Sequence, residues 1–212
     1  MSANRKACAA ALVCGWLFYV ALMMVHPTRM GGPALGHVTL NDAVHWTALL
    51  ILPALLYGYI ELGRSLDLRR PIVLLAVCTL VASLIAGMGA ATMSGLVMAD
   101  VAEATQEGEF GPETLDALRH ITFWINQGFA TVHYVLLALG IGLFAWAWPN
   151  RAEDRGLKYG GLLLAAGFLV WLASGHWGAD VHSVLIVVAA SAIWSIMAAL
   201  AQRSLSDDCL VA

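Results

Sequence analysis

Apolar residues run along this chain in six long stretches separated by short polar breaks. They extend roughly over residues 8–25, 44–62, 71–98, 121–148, 160–174 and 181–201. A helix needs about 20 mostly apolar residues to cross a hydrocarbon layer about 30 Å thick. Inside lipid, a helix also satisfies its own backbone donors and acceptors. The pattern therefore predicts an all-α integral membrane bundle of six transmembrane helices, forming a single domain over residues 1–212. The fifth stretch is the weakest, being short and opening with Gly160-Gly161. The first follows Arg5 and Lys6 as a signal peptide would. However, the run from Ala7 to Val25 exceeds the usual h-region of about 7–15 residues, and no small-x-small cleavage motif follows it, so it reads as a retained first helix.

The basic residues predict an orientation. Arg5 and Lys6, then Arg64, Arg69 and Arg70, then Arg151, Arg155 and Lys158, and finally Arg203 all fall on one side of a six-span bundle. The opposite loops hold Arg29 and Arg119. Lys and Arg collect on the cytoplasmic side of membrane proteins, so both termini are expected in the cytoplasm, with the bundle in a bacterial-type inner (plasma) membrane. The outer loop over residues 99–120 is acidic, carrying Asp100, Glu103, Glu107, Glu109, Glu113 and Asp116. Within it Pro112-Glu113, followed by Leu115, Leu118 and Ile121, has the form of a helix start. The fourth span is thus expected to extend beyond the membrane.

Composition sharpens the class. Charged residues make up 12% of the chain and hydrophobic ones 60%, against about 25% charged in soluble domains. A net charge of −3 with no basic patch argues against a nucleic-acid partner. The expected partner is the lipid bilayer itself, with a membrane-complex subunit or a second copy of the chain as further options. Cys8, Cys14, Cys78 and Cys209 map to the inner half or the tail, where disulfides are not expected. Gly87, Ala91 and Gly95, at four-residue spacing, read as a small-residue face for close helix packing. Glu61 reads as an interfacial residue beside Arg64, and Trp124, Trp146, Trp148, Trp171 and Trp177 as an interfacial belt.

The candidate chemistry lies in the histidines, all seven of which fall in the outer half or the outer loops. Val44-His45, Val132-His133 and Val181-His182 repeat on the second, fourth and sixth spans, which run in the same direction. Counted to the first inner basic residue, His45, His133 and His182 stand 19, 18 and 21 residues away. Lys6 to His26 is 20 residues, while Lys158 to His176 and Arg70 to Met88 are both 18. At helical rise these heights are about 27–32 Å, so five histidines and Met88 are expected in one layer. Three imidazoles from different helices make an open site for zinc or copper, and two facing imidazoles could hold haem b. Asp42 and Asp180 are placed to orient His45 and His182, or to act as proton-transfer groups. Met23, Met24, Met30, Met93 and Met98 on the same side favour copper as Cu(I).

In its three histidines and a carboxylate near one membrane face, the layout resembles membrane zinc hydrolases of the alkaline ceramidase and adiponectin-receptor type. It departs from them in its six spans and in the six-residue spacing of His176 and His182, so their histidine pair does not carry over. Transmembrane di-haem cytochromes need histidines near both faces, and this chain has none near the inner one. Three functions follow as expectations. They are a redox-type metal or haem protein using His26, His45, His133, His176 and His182, a zinc-dependent hydrolase of an amphipathic substrate using Asp42 or Asp180, and a non-catalytic subunit or small transporter.

Overall fold

The computed structural model describes residues 3–26, 34–35, 38–108, 110–175 and 181–202. Its helices are α1 (Ala3–Val25), α2 (Leu40–Ser65), α3 (Pro71–Thr92), α4 (Met98–Gln106), α5 (Pro112–Ala147), α6 (Arg155–Ala173) and α7 (Val181–Ala201). A π-helical turn, Met93–Val97, joins α3 to α4 without a break. A short antiparallel pairing of Ala34–Leu35 (β1) with Val38–Thr39 (β2) precedes α2. Among the described residues, six helical runs are long and apolar enough to cross a membrane, the run through the π turn counting as one from Pro71 to Val101.

Local chemistry explains the helix starts. Proline occupies the first helical position of α3 and of α5, after Arg70 and Gly111 in extended backbone. There its missing N–H costs nothing and its fixed φ suits the helix. The Pro112-Glu113 pair thus starts α5, with Glu113 in the first turn next to the positive end of the helix dipole. α5 has 36 residues, which at helical rise is about 54 Å and longer than a hydrocarbon layer is thick.

The six long runs pack in a closed ring in chain order: α1 against α2, α2 against α3, α3 against α5, α5 against α6, α6 against α7, and α7 back against α1. The densest core lies toward the end of the bundle that holds the start of α1. There Cys8, Leu12 and Trp16 meet Leu55, Tyr59 and Leu62, with Leu80, Ile141, Phe144 and Val188 from the other helices. Close approach is possible because glycine faces a large side chain: Gly58 lies against Leu12, Gly140 against Leu80, and Gly161 against Trp194. Some buried polar atoms here pair across helices, whereas Trp148 Nε1, Asp154 Oδ2 and Ser191 Oγ have no hydrogen-bond partner among the described residues. Trp16 Nε1–H donates to the Tyr59 hydroxyl at 3.1 Å, and that hydroxyl lies 2.6 Å from Ser195 Oγ. Glu61 is buried and paired with Arg64.

Outward faces are apolar, with Leu50 76% exposed and Leu163, Val170, Ile85 and Ile193 also outside. A water-soluble monomer does not present such continuous apolar faces, whereas a bundle in lipid does. Trp124 and Trp146 stand on the outside as belt residues should. Trp148 departs from that expectation. It is buried in the core, at the C-cap of α5 where the backbone leaves the helical conformation. Trp171 is half-buried, and Trp177 lies outside the described residues. Among the described cysteines Cys8 is buried, Cys14 and Cys78 are exposed, and none is in a disulfide.

The Tyr59 hydroxyl joins three helices, so its removal tests the core. Tyr59→Phe leaves Trp16 and Ser195 short of a buried partner, which costs about 1–3 kcal/mol. The expected result is a lower unfolding midpoint in detergent, with unchanged helix content by circular dichroism. An unchanged midpoint would remove the network from the account of stability.

Candidate functional site

The other end of the bundle, distal to the chain termini, is hollow. A cavity of about 140 Å³ lies between α1, α2, α3 and α5, with Val184 of α7 at one side. Its wall carries His26, His45 and His133, together with Tyr19, Met23, Ser94, Asn126 and Tyr134. Gly87, Ala90 and Ala91 form the α3 side.

Each imidazole is seated by a feature of the local sequence. His45 lies in the second turn of α2, and its Nδ1–H donates to the Asn41 carbonyl at 2.7 Å. A carbonyl can only accept, so the proton is on Nδ1 and the Nε2 lone pair is left facing away from the backbone. His26, directly after α1, brings its Nε2 to 3.4 Å from His45 Nε2, the two rings meeting edge to face. His133 is held from the opposite side by Ser83. Its Nδ1–H donates to the Ser83 carbonyl at 2.8 Å, and the Ser83 hydroxyl donates to the His133 carbonyl at 2.7 Å. His133 is 2% exposed, and its Nε2 is sealed from solvent with no hydrogen-bond partner among the described residues. An Nδ1–H anchored on a carbonyl is the arrangement that orients metal-binding histidines.

The small residues of α3 decide where the rings go. A Cβ added to Gly87 would sit 3.0 Å from His133 Nδ1, and one added to Gly95 would fall inside the His45 side chain. The face read from sequence as helix packing is therefore the seat of both imidazoles, with Ala91 between them at the cavity wall. Gly95 belongs to the π turn, and Asn41 Nδ2 reaches the Ser94 carbonyl of that turn at 3.5 Å.

The single histidine layer needs correction. His45 packs on Gly95 and His133 on Gly87, eight residues apart along α3 and the π turn. At helical rise that is about 12 Å, so His133 lies deeper in the bundle. The reference residue is the cause. Arg151 lies beyond the end of α5, in non-helical chain. Fourteen residues of α5 follow His133, but 20 residues of α2 follow His45. Accordingly, among the described residues no three His, Cys, Asp or Glu side chains come together as a metal-binding group. Met88 is 39% exposed and does not line the cavity.

The remaining candidates divide simply. Asp42, in the first turn of α2, is half-buried and interacts electrostatically with His45, but it does not line the cavity. His182 lies in the first turn of α7, with its side chain outside the described residues, as are His176 and Asp180 altogether. Sequence reasoning passed over Ser83, Tyr19 and Tyr134, the last two hydrogen-bonded to each other. Comparison with protein families, characterised proteins and solved structures finds no match to this chain.

The two glycines make distinct predictions. Gly95→Ala forces His45 or the helix to move, at an overpacking cost of about 1–3 kcal/mol. Gly87→Ala meets the His133 ring at 3.0 Å, a tight contact that the ring relieves by giving a few tenths of an ångström, and costs less. Detergent unfolding midpoints should therefore rank wild type, then Gly87→Ala, then Gly95→Ala. The reverse order would mean that His45 is not seated on the π turn.

Proposed function

We propose that this chain is a multi-pass inner-membrane protein that holds a copper ion between His26 and His45, near the outer face, for redox chemistry on a small substrate. The carrying observation is the 3.4 Å separation of the two Nε2 atoms at the cavity wall. Two nitrogens at about 2.0–2.1 Å from one tetrahedral metal stand about 3.3–3.4 Å apart. The placement outward rests on the basic residues at the other side of the bundle.

The ligand chemistry favours copper. Met23 shares the cavity wall with the two imidazoles, and thioether with imidazole suits Cu(I). Two histidines and one methionine leave a coordination position for a substrate. The cavity limits that substrate to a few heavy atoms, since about 150 Å³ is the volume that admits benzene in an engineered protein cavity. A porphyrin is several-fold larger, so haem does not fit here. His133 lies at the deep end of the same cavity, an imidazole with an unshared Nε2 lone pair able to accept a hydrogen bond or a proton from a bound molecule. Zinc hydrolysis is less well supported, because no carboxylate is among the residues lining the cavity.

Elemental analysis of detergent-purified protein carrying no histidine tag tests the reading. Stoichiometric copper is expected, lost in His26→Ala and in His45→Ala. Met23→Leu should weaken Cu(I) retention more than Zn(II) retention. Full copper in both histidine variants would sink the proposal. Zinc in place of copper, with turnover abolished in Asp42→Asn, would instead establish the hydrolase. A Soret band would mean haem and a different site.

A further inference from the structure

A second cavity, of about 390 Å³, lies next to the first and shares Ser94 and Asn126 with it. Its other walls include Met98, Arg119 and His120. The two cavities thus meet at the π turn that carries Ser94. A π turn inserts one extra residue into a helix, and such turns recur at functional positions. Here the turn presents Ser94 to both spaces.

We infer that this second cavity is the chamber through which Cu(I) reaches the His26–His45 pair, an inference that rests on the copper reading above. Three features carry it. The first is adjacency, since Ser94 and Asn126 form a polar threshold that lines both spaces. The second is ligand type. His120 Nδ1–H donates to the Asp116 carbonyl at 3.2 Å, which leaves the Nε2 lone pair for a metal, and Met98 supplies a thioether in the same wall. Both are donors that soft metal ions accept. The third is charge. Asp100 in the first turn of α4, Glu103 within it, Glu107 just after it, and Glu113 and Asp116 at the start of α5 are exposed on the segments that carry Met98, Arg119 and His120 of the chamber wall. Arg119 is offset by Asp116, whose carboxylate lies 3.7 Å away. A mouth of one charge sign raises the local concentration of its counter-ion. The route thus passes from an acidic rim, through His120 and Met98, across the threshold, to Met23, His26 and His45.

The test uses the full chain with Ser94→Cys, a near-isosteric change at the threshold. The thiol should react with small methanethiosulfonate reagents, faster with a cationic than with an anionic one at low salt. After labelling with a bulky reagent, uptake of buffered Cu(I) should slow by about tenfold or more, while wild type treated in the same way, with its native cysteines, loads at its usual rate. His120→Ala combined with Met98→Leu should also slow uptake and leave final occupancy unchanged. An unreactive thiol at position 94, an anionic preference, or undiminished uptake by the labelled variant would each overturn the chamber while the copper site stands. Wild type that binds no copper would overturn the copper reading itself, and the chamber with it.

Discussion

The arrangement of this molecule depends on the missing side chains along one face of α3. Gly87, Ala91 and Gly95 allow α3 to lie close to its neighbours, and they also leave room that imidazole rings occupy. The two consequences are coupled. A larger residue at Gly95 would meet the His45 side chain directly, and one at Gly87 would meet the ring of His133. Small residues in membrane helices usually bring backbones together. Here they bring a backbone and two polar rings together, so that helix packing and the site have one structural cause.

Burial then fixes the chemistry of each ring. A polar group removed from water must find a partner within the protein. His45 finds one in its own helix and His133 in Ser83. In both cases the partner is a carbonyl on the Nδ1 side, so both rings keep their lone pair on Nε2. The Ser83 hydroxyl closes a reciprocal pair with the His133 carbonyl and thereby locks α3 to α5 at the depth of the cavity. The serine therefore orients the ring as well as joining two helices, although nothing in its sequence surroundings distinguishes it from a packing residue.

The helices were legible because hydropathy records them directly. A stretch such as Pro71–Val101 is apolar over its whole length, and Pro71 and Pro112 start their helices by known backbone chemistry. The site was legible only in part. Counting residues to a basic anchor works along a helix, and it placed His26 and His45 at one height, where the structure has them 3.4 Å apart. It misplaced His133, because the count ran past Ala147 into chain that does not rise at the helical rate. Which way a ring faces depends on its neighbours across the bundle, and one sequence does not contain that pairing. The π turn is a further example. Met93–Val97 has an unexceptional apolar composition, and what sets it apart is its placement against α2 and α5 across the bundle.

The two ends of the bundle are built on opposite principles. Near the chain termini, Trp16, Tyr59 and Ser195 pair across three helices, and large side chains fill the glycine notches. At the distal end the notches hold polar rings, and space remains beside them. A void in a membrane bundle loses dispersion contacts along its lining, and His133 adds a buried acceptor without a partner among the described residues. Both costs fall beside the cavity, although buried atoms without a hydrogen-bond partner among the described residues also occur elsewhere, at Trp148, Asp154 and Ser191. A ligand that donated a hydrogen bond to the His133 Nε2, or coordinated it, and filled the space beside it would remove both costs together. The ring geometry narrows that ligand to something small enough for about 140 Å³ and able to sit between two nitrogens 3.4 Å apart.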